Sequence, residues 1–314
     1  MCQPGAAQRG AVQRGAAWPG RLDCPAVSTT TRPAPRPPAA AASRPAAPEA
    51  ASLAPVRKRP PLKLRLAALY RNTIFNPFWT DTRHLRRSVA TLAPFASGRL
   101  LDVGVGERPY GRLFEPRVSR YIGLEYPPAA ENLSPEITGA RAGNLKGAVD
   151  VWGDGGALPF REASFDTVLC LELLEHVPDP DRCLAEIART LRPGGALLVT
   201  VPFVAALHAL PYDYWRYTPV GLTALLARHG LKVESLVPRG NIASAAASMT
   251  AQYLLRAVGA RHEWRDGSIS ISRWRAPFVL PLVALSQGVF ALLERLTTDS
   301  GACLGYTVVA RRAS

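Results

Sequence analysis

The stretch Gly98 to Gly111, GRLLDVGVGERPYG, restricts what this chain can become more than any other. Its apolar run, Leu100, Leu101 and Val103, breaks abruptly into Gly104 and Gly106. A short apolar run bounded by turn residues reads as a strand buried on both faces, the kind found in parallel sheets covered by helices. Glycine has no Cβ, so backbone N–H groups in the loop can come close to a ligand, and Asp102 puts a carboxylate at the strand's carboxyl end. The pattern is Asp-x-Gly-x-Gly. A dinucleotide fingerprint would need a third glycine at position 109, where the chain has Pro109, and this disfavours a nicotinamide dehydrogenase.

The segments that follow keep alternating. Tyr121 to Tyr126 (YIGLEY) reads as a second strand ending in Glu125, about 20 residues past the glycines, where a first βαβ unit places its ribose-binding acid. VDVWGDGGALPF ends a third strand near Gly153 and Asp154, and SFDTVLCLELLEHVPDP runs from a fourth strand into a helix start. LRPGGALLVTVPF feeds a fifth strand from a Gly-Gly turn. Asp179 and Pro180 suit the N-cap and first position of a helix with Leu184, Ile187 and Leu191 as its buried face and Gly194-Gly195 as its stop. Thr218 caps another helix that closes on Gly230 before a strand from Leu231 to Val237, and Gly305 to Arg312 forms the last strand. Strands alternating with helices predict an α/β fold around a parallel sheet.

Five motifs now stand in order: Asp102-Val103-Gly104-Val105-Gly106 with Glu125, Asp154 through Leu158-Pro159-Phe160, Phe165-Asp166, Leu174-Glu175-His176-Val177, and Leu191-Arg192-Pro193-Gly194-Gly195. Together they resemble the class I S-adenosylmethionine-dependent methyltransferases, specifically the small-molecule type of quinone and glycan biosynthesis, over roughly Gly98 to Leu236. The resemblance implies a Rossmann-like, seven-stranded, mostly parallel sheet with helices on both faces and an antiparallel last strand, here preceded by a helical insertion. It implies S-adenosyl-L-methionine as cofactor and no metal. Asp102, Gly104 and Gly106 would hold the methionine end, and Glu125 the two ribose hydroxyls, since a carboxylate accepts both hydrogen bonds. Asp154 and Gly155 would meet the adenine amino group, with Leu158 packing on the base. Leu171, between Cys170 and Glu172 at the fourth strand's exit, would flank the sulfonium.

Charge excludes one class of partner. Residues 1–65 hold eleven Lys and Arg against two acids, so nine of the fourteen net positive charges lie there and only five in the remainder. Basicity is a property of the tail, and no stretch interleaves aromatics with a basic stripe, so nucleic acid is not the expected ligand. The first fifty-six residues are Ala, Pro, Arg and Gly with few large apolar side chains, too few to offset ordering entropy. They read as a disordered tail; a transit peptide has a similar Arg-rich, acid-poor composition, whereas a secretory signal would need an apolar core. Deleting residues 1–55 is expected to leave melting temperature and cofactor affinity unchanged, and a fall of several degrees would show that the segment packs. The five cysteines show no Cys-x-x-Cys spacing and read as free thiols in a reducing, cytoplasmic setting.

The expected organisation is a tail (1–56), amino-terminal helices covering the cofactor cleft (57–97), the methyltransferase core (98–237), a helical insertion (238–304) and the final strand (305–314). Arg57 to Arg71, RKRPPLKLRLAALYR, is a basic amphipathic helix that either caps the sheet or lies on an anionic membrane surface. Thr82 to Leu92 is a second helix, and about Ala243 to Val258 an Ala-rich one. Ala276 to Leu293 carries no charge and meets the lower length for a membrane span, although Pro281 and Ser286-Gln287-Gly288 interrupt it. Buried helices, contact with the inner face of the membrane and a true span are the three readings of that stretch.

For the acceptor, a hydroxyl must lose its proton to a base within hydrogen-bond distance. His176 in LLEHV, and His208, Asp213 and Tyr214 in HALPYDYWRYTPVGL, are the candidates. The second stretch follows the fifth strand, and loops at strand carboxyl ends carry recognition in open α/β sheets. Its aromatics suit sugar faces, and Arg216 suits a carboxylate or phosphate. It also resembles the loop in methyltransferases encoded with bacterial surface-polysaccharide genes, which implies a small-molecule or lipid-linked glycan acceptor, with a quinone or other small metabolite as the alternative.

Overall fold

The computed structural model describes residues 73–127, 148–209, 211–259, 261–262, 269–270, 272 and 274–314. The expected tail and the basic helix at Arg57 to Arg71 lie outside the described residues. Seven strands form one sheet: β1 (Arg99–Val103), β2 (Arg120–Glu125), β3 (Val151–Trp152), β4 (Phe165–Leu171), β5 (Leu191–Pro202), β6 (Leu231–Arg239) and β7 (Gly305–Arg312). Their spatial order is β3-β2-β1-β4-β5-β7-β6, with β7 antiparallel to both its neighbours and every other pairing parallel. This is the mostly parallel sheet with an antiparallel last strand that the motif order implied.

The helices are α1 (Trp79–Leu92), α2 (Gly111–Phe114), α3 (Pro180–Thr190), α4 (Pro219–Arg228), α5 (Ile242–Ala257) and α6 (Ala276–Leu293). Because side chains alternate along a strand, the sheet feeds two cores. On one face Leu101, Val103, Val168, Cys170, Leu197 and Val199 join Leu184 and Ile187 of α3 and Leu222 and Leu226 of α4. On the other, Leu100, Leu169, Leu198 and Val309 join Val89 and Leu92 of α1 and Phe114 of α2. Each fully buried side chain of this size contributes about 1.5–3 kcal/mol, so the consecutive apolar residues of β1, β4 and β5 are what fix the sheet between two helical layers.

The caps fall where the sequence places them. Asp179 accepts a hydrogen bond from the Arg182 N–H at 3.0 Å to start α3, and Thr218 accepts one from Gly221 at 3.1 Å to start α4. Asn241, not anticipated, closes a capping box with Ser244 at the head of α5. Three boundaries differ. Gly194-Gly195 does not stop α3, which ends at Thr190 because Leu191 already pairs with Phe165 of β4. The next aligned pair is Ala196 with Thr167, so Arg192 to Gly195 bulge out of the strand, and Gly194 takes the left-handed conformation (φ +74°) that this needs. β6 runs two residues past Val237, to Arg239, which places that arginine at the strand's end.

The third difference is α6, a continuous helix of 18 residues despite Pro281. The Gln287 side chain in the middle of it is fully satisfied: Nε2 donates to the carbonyls of Ile74 and Asn76 at 2.8 and 2.9 Å, and Oε1 accepts from the Thr80 N–H and hydroxyl at 3.1 and 2.9 Å. Val279 and Val283 pack on Ala251 and Leu255 of α5. Only 22% of α6 is buried, and Phe278, Leu282, Leu285, Val289 and Leu292 are exposed at helical spacing along the other side. By length and composition it is the one described helix able to cross a membrane.

Candidate active site

The sheet order reverses between β1 and β4, and in open α/β sheets the crevice outside the carboxyl ends of such a pair is where ligands bind. Beyond β1, Gly104 and Gly106 both adopt positive φ, +75° and +50°. A Cβ on Gly104 would also come within 2.9 Å of a Leu173 methyl carbon, so the loop requires glycine there for conformation and for space. Gly104 and Val105 donate backbone hydrogen bonds to the Leu124 carbonyl at 2.9 and 3.1 Å, and Gly106 donates to Glu125 Oε2 at 2.8 Å. The other Glu125 oxygen accepts from Tyr126 N–H at 2.9 Å, so this buried carboxylate clamps the loop to β2. Burial raises its pKa, partly offset by those two N–H groups.

Asp102 is buried and accepts a hydrogen bond from the Tyr121 hydroxyl. Burial pushes its carboxyl up to about 7, against the lowering influence of Tyr121 and Arg108. The Arg108 guanidinium lies 4.6 Å from the centre of the Tyr121 ring and pairs with Asp150, fixing the phenol that fixes Asp102. Beyond β3, Asp154 Oδ1 accepts from Gly156 N–H at 2.8 Å in a tight turn, which sets Gly155 against Val103 and Cys183. Leu158 is buried in the core, its N–H held by Glu186 at 2.9 Å, and Leu171 packs toward α1 and α2.

A second cluster of ionisable residues begins where β4 ends. Glu172 has a φ of +48°, strained for a residue with a side chain. Arg239, buried at the end of β6, grips both Glu172 oxygens at 2.8 and 3.1 Å. Burial alone would raise the Glu172 carboxyl, but the guanidinium outweighs it and holds the group below the ordinary range. Three residues on, Glu175 is fully buried and neither of its carboxyl oxygens has a hydrogen-bond partner. Burial and the neighbouring Glu172 charge drive its pKa far up.

His176 and His208 meet edge to face, ring centres 4.9 Å apart. His176 Nδ1 lies 2.8 Å from the Tyr212 carbonyl, and His208 Nδ1 lies 3.2 Å from the Ala206 carbonyl. Asp213 sits behind His208, accepting its backbone N–H at 3.0 Å, while Arg216 binds both Asp213 oxygens at 2.6 and 2.8 Å. Burial would raise Asp213, but the bonds from Arg216 and His208 keep it below the usual range. The loop is pinned further by Trp215 Nε1 donating to Val177 at 2.9 Å and the Tyr217 hydroxyl donating to Leu174 at 3.0 Å.

Residues 101–199 match the methyltransferase domain family. The ubiquinone biosynthesis O-methyltransferase of Xanthomonas euvesicatoria pv. vesicatoria is 32% identical over 170 residues, covering 47% of this chain and 68% of that protein. The chain belongs to the class I S-adenosylmethionine-dependent methyltransferases. An uncharacterized methyltransferase of Mycobacterium avium is 36% identical over 106 residues, 33% of this chain and 40% of its own length. A crystal structure of a putative methyltransferase from Bacillus halodurans C-125 is 18% identical, covers 73% of this chain and 99% of its own, and has a TM-score of 0.42.

The methyltransferase fold implies S-adenosylmethionine, and the cradle suits it. The positive-φ glycine turn at Gly104 and Gly106 and two buried carboxylates at the tips of β1 and β2 match a ligand with a cationic amino acid end and a ribose diol. In this methyltransferase Asp102, Gly104, Gly106 and Glu125 form one constellation, and Asp154 with Gly155 stands beside it. Leu158 and Leu171 are walls of packed side chains rather than open surfaces. Of the residues that the sequence offers for an acceptor, His176 and His208 come together, but Arg216 is committed to Asp213 and not presented to an anion. Arg239 was not legible as a site residue, although an arginine between Pro238 and Gly240 at a strand end is the kind of signal that marks one. Tyr121 and Glu175 lay inside quoted motifs with no role read for them.

Proposed function

We propose that this methyltransferase methylates a hydroxyl oxygen of a small acceptor held over the His176–His208 pair. The observation that carries the reading is that pair itself: two imidazoles in contact at the exits of β4 and β5, each with Nδ1 engaged by a carbonyl and so with Nε2 turned to accept. When bound, the cofactor supplies a methyl group already activated by positive sulfur, so the protein's work is alignment and handling of the acceptor's proton. Alignment is worth up to roughly 7–11 kcal/mol in favourable cases. Asp102 and Glu125 fix the cofactor's two ends, His176 and His208 face the acceptor oxygen, and Asp213 with Arg216 braces His208 from behind.

The O-methyltransferase named among the relatives supports a phenolic, quinone-precursor acceptor. A sugar or lipid-linked glycan is the second reading, supported by the exposed Tyr214 and Trp215 of the loop after β5. Methyl-labelled S-adenosylmethionine offered with a panel of dihydroxylated phenols and a panel of saccharides distinguishes them. Label in the phenols alone favours the first; label in the sugars alone favours the second. With either, His176→Ala is expected to lower turnover at saturating cofactor by about 10² or more while cofactor affinity stays within twofold. Unchanged turnover would remove His176 from the site.

A further inference from the structure

Methyl transfer does not by itself account for Glu175. One ring nitrogen of each of His176 and His208 and one carboxylate oxygen of Glu175 lie within 4.8 Å of one another, and His176 Nε2 is 3.8 Å from Glu175 Oε1. A fully buried carboxylate with both oxygens unpartnered is rare, because such groups are ordinarily hydrogen-bonded or bound to a cation. No lysine or arginine bonds it among the described residues: Arg239 is taken by Glu172, and Arg216 by Asp213. Both histidines are oriented in the manner of metal ligands, which donate one ring N–H to a carbonyl and present the other nitrogen.

We propose that Glu175, His176 and His208 bind one divalent cation of the zinc, manganese or iron(II) type, which takes the acceptor's hydroxyl oxygen as a further ligand. Two imidazoles and a carboxylate suit these ions better than magnesium or calcium, which favour oxygen ligands throughout. Bonds of about 2.1 Å place ligand atoms about 3–4 Å apart, so the His208 loop closes by about 1 Å on binding. Three protein ligands leave positions open for water and acceptor. A hydroxyl bound there is acidified, and its proton passes to solvent water. This departs from the metal-free site implied by the sequence resemblance. Its catalytic half rests on the O-methylation proposed above; the binding half does not.

The untagged full chain, stripped with chelator, is titrated with Co²⁺ and Zn²⁺, with Mg²⁺ as control, following calorimetric heat and cobalt absorption. One Co²⁺ or Zn²⁺ per chain is expected, with new visible absorption bands for cobalt and at least about tenfold weaker binding in Glu175→Gln and His208→Ala. S-adenosylhomocysteine affinity should stay within twofold of the parent in His208→Ala, whose substitution lies in a loop and keeps the test valid if Glu175→Gln fails to fold. Absence of saturable binding in the parent, or unchanged binding in His208→Ala, overturns the site. Stoichiometric binding without methylation of any hydroxyl acceptor upholds the site and discards the acceptor class; full methylation in the stripped protein overturns the catalytic half.

Discussion

Alanine at Glu125 abolishes measurable binding of S-adenosylhomocysteine and leaves the protein folded: this is the expected result, and the same holds for Asp102→Ala. Glu125 has two tasks, because the carboxylate that would take the ribose hydroxyls also holds the Gly106 N–H at 2.8 Å. Removing it takes away a charge-assisted contact of ~1.5–3 kcal/mol and releases the loop at once. Asp102 adds a pH dependence. In the free protein burial brings its carboxyl to about 7, while the ammonium of the cofactor's methionine end favours the ionised form. Binding should therefore tighten from pH 6 to pH 8 and release a proton, measurable by calorimetry in two buffers of different ionisation heat. The sign for stability is the reverse: Asp102's contribution is intact below the unfolded value of 3.8 and is lost as pH rises toward 7, a slope that Asp102→Asn should flatten. If both alanine variants bind as tightly as the parent, the cofactor site is misplaced.

On liposomes of phosphatidylglycerol the full chain is expected to sediment at low salt and to be partly released at high salt. Two features that the sheet does not require underlie this. Arg57, Lys58, Arg59, Lys63 and Arg65 can meet anionic headgroups at about 1 kcal/mol each, a contribution that salt screens. The apolar row Phe278, Leu282, Leu285, Val289 and Leu292 on α6 can enter the acyl boundary, and that part is insensitive to salt. Changing the five cations to Gln should reduce sedimentation at low salt to the fraction that the parent retains at high salt, and Phe278→Ser with Leu285→Ser should remove that remaining fraction. A protein that stays in the supernatant under all conditions would turn the α6 row toward another protein surface and favour a freely soluble acceptor.

What could be read from the residues alone was whatever depends on local pattern. The apolar runs of β1, β4 and β5, the glycines after β1 and the caps at Asp179 and Thr218 are written in adjacent residues, and the structure places them within a residue or two. The end of α3 was misread because a glycine pair serves a helix stop and a strand bulge equally well, and only pairing with β4 decides between them. The candidate cofactor residues could be proposed from the sequence because they sit at fixed offsets from strand ends, and the structure brings Asp102, Gly104, Gly106 and Glu125 together. The acceptor candidates were only partly legible. His176 and His208 announced themselves as residue types, but the bonds that orient them come from carbonyls of Tyr212 and Ala206, which no side-chain pattern records. The Glu172–Arg239 pair joins positions 67 residues apart, which only the folding of β4 and β6 into one sheet brings together.

Gln287 sets the terms on which this enzyme can be engineered for solubility. Cutting out α6 looks attractive, since so much of it is apolar and exposed. The excision would strip hydrogen-bond partners from Ile74, Asn76 and Thr80, and every buried polar group orphaned in this way costs about 1–3 kcal/mol. Those groups lead into α1, whose Val89 and Leu92 form part of the core beneath the sheet. The workable route is repainting: polar residues at Phe278, Leu282, Leu285 and Val289, with Gln287, Val279 and Val283 left untouched.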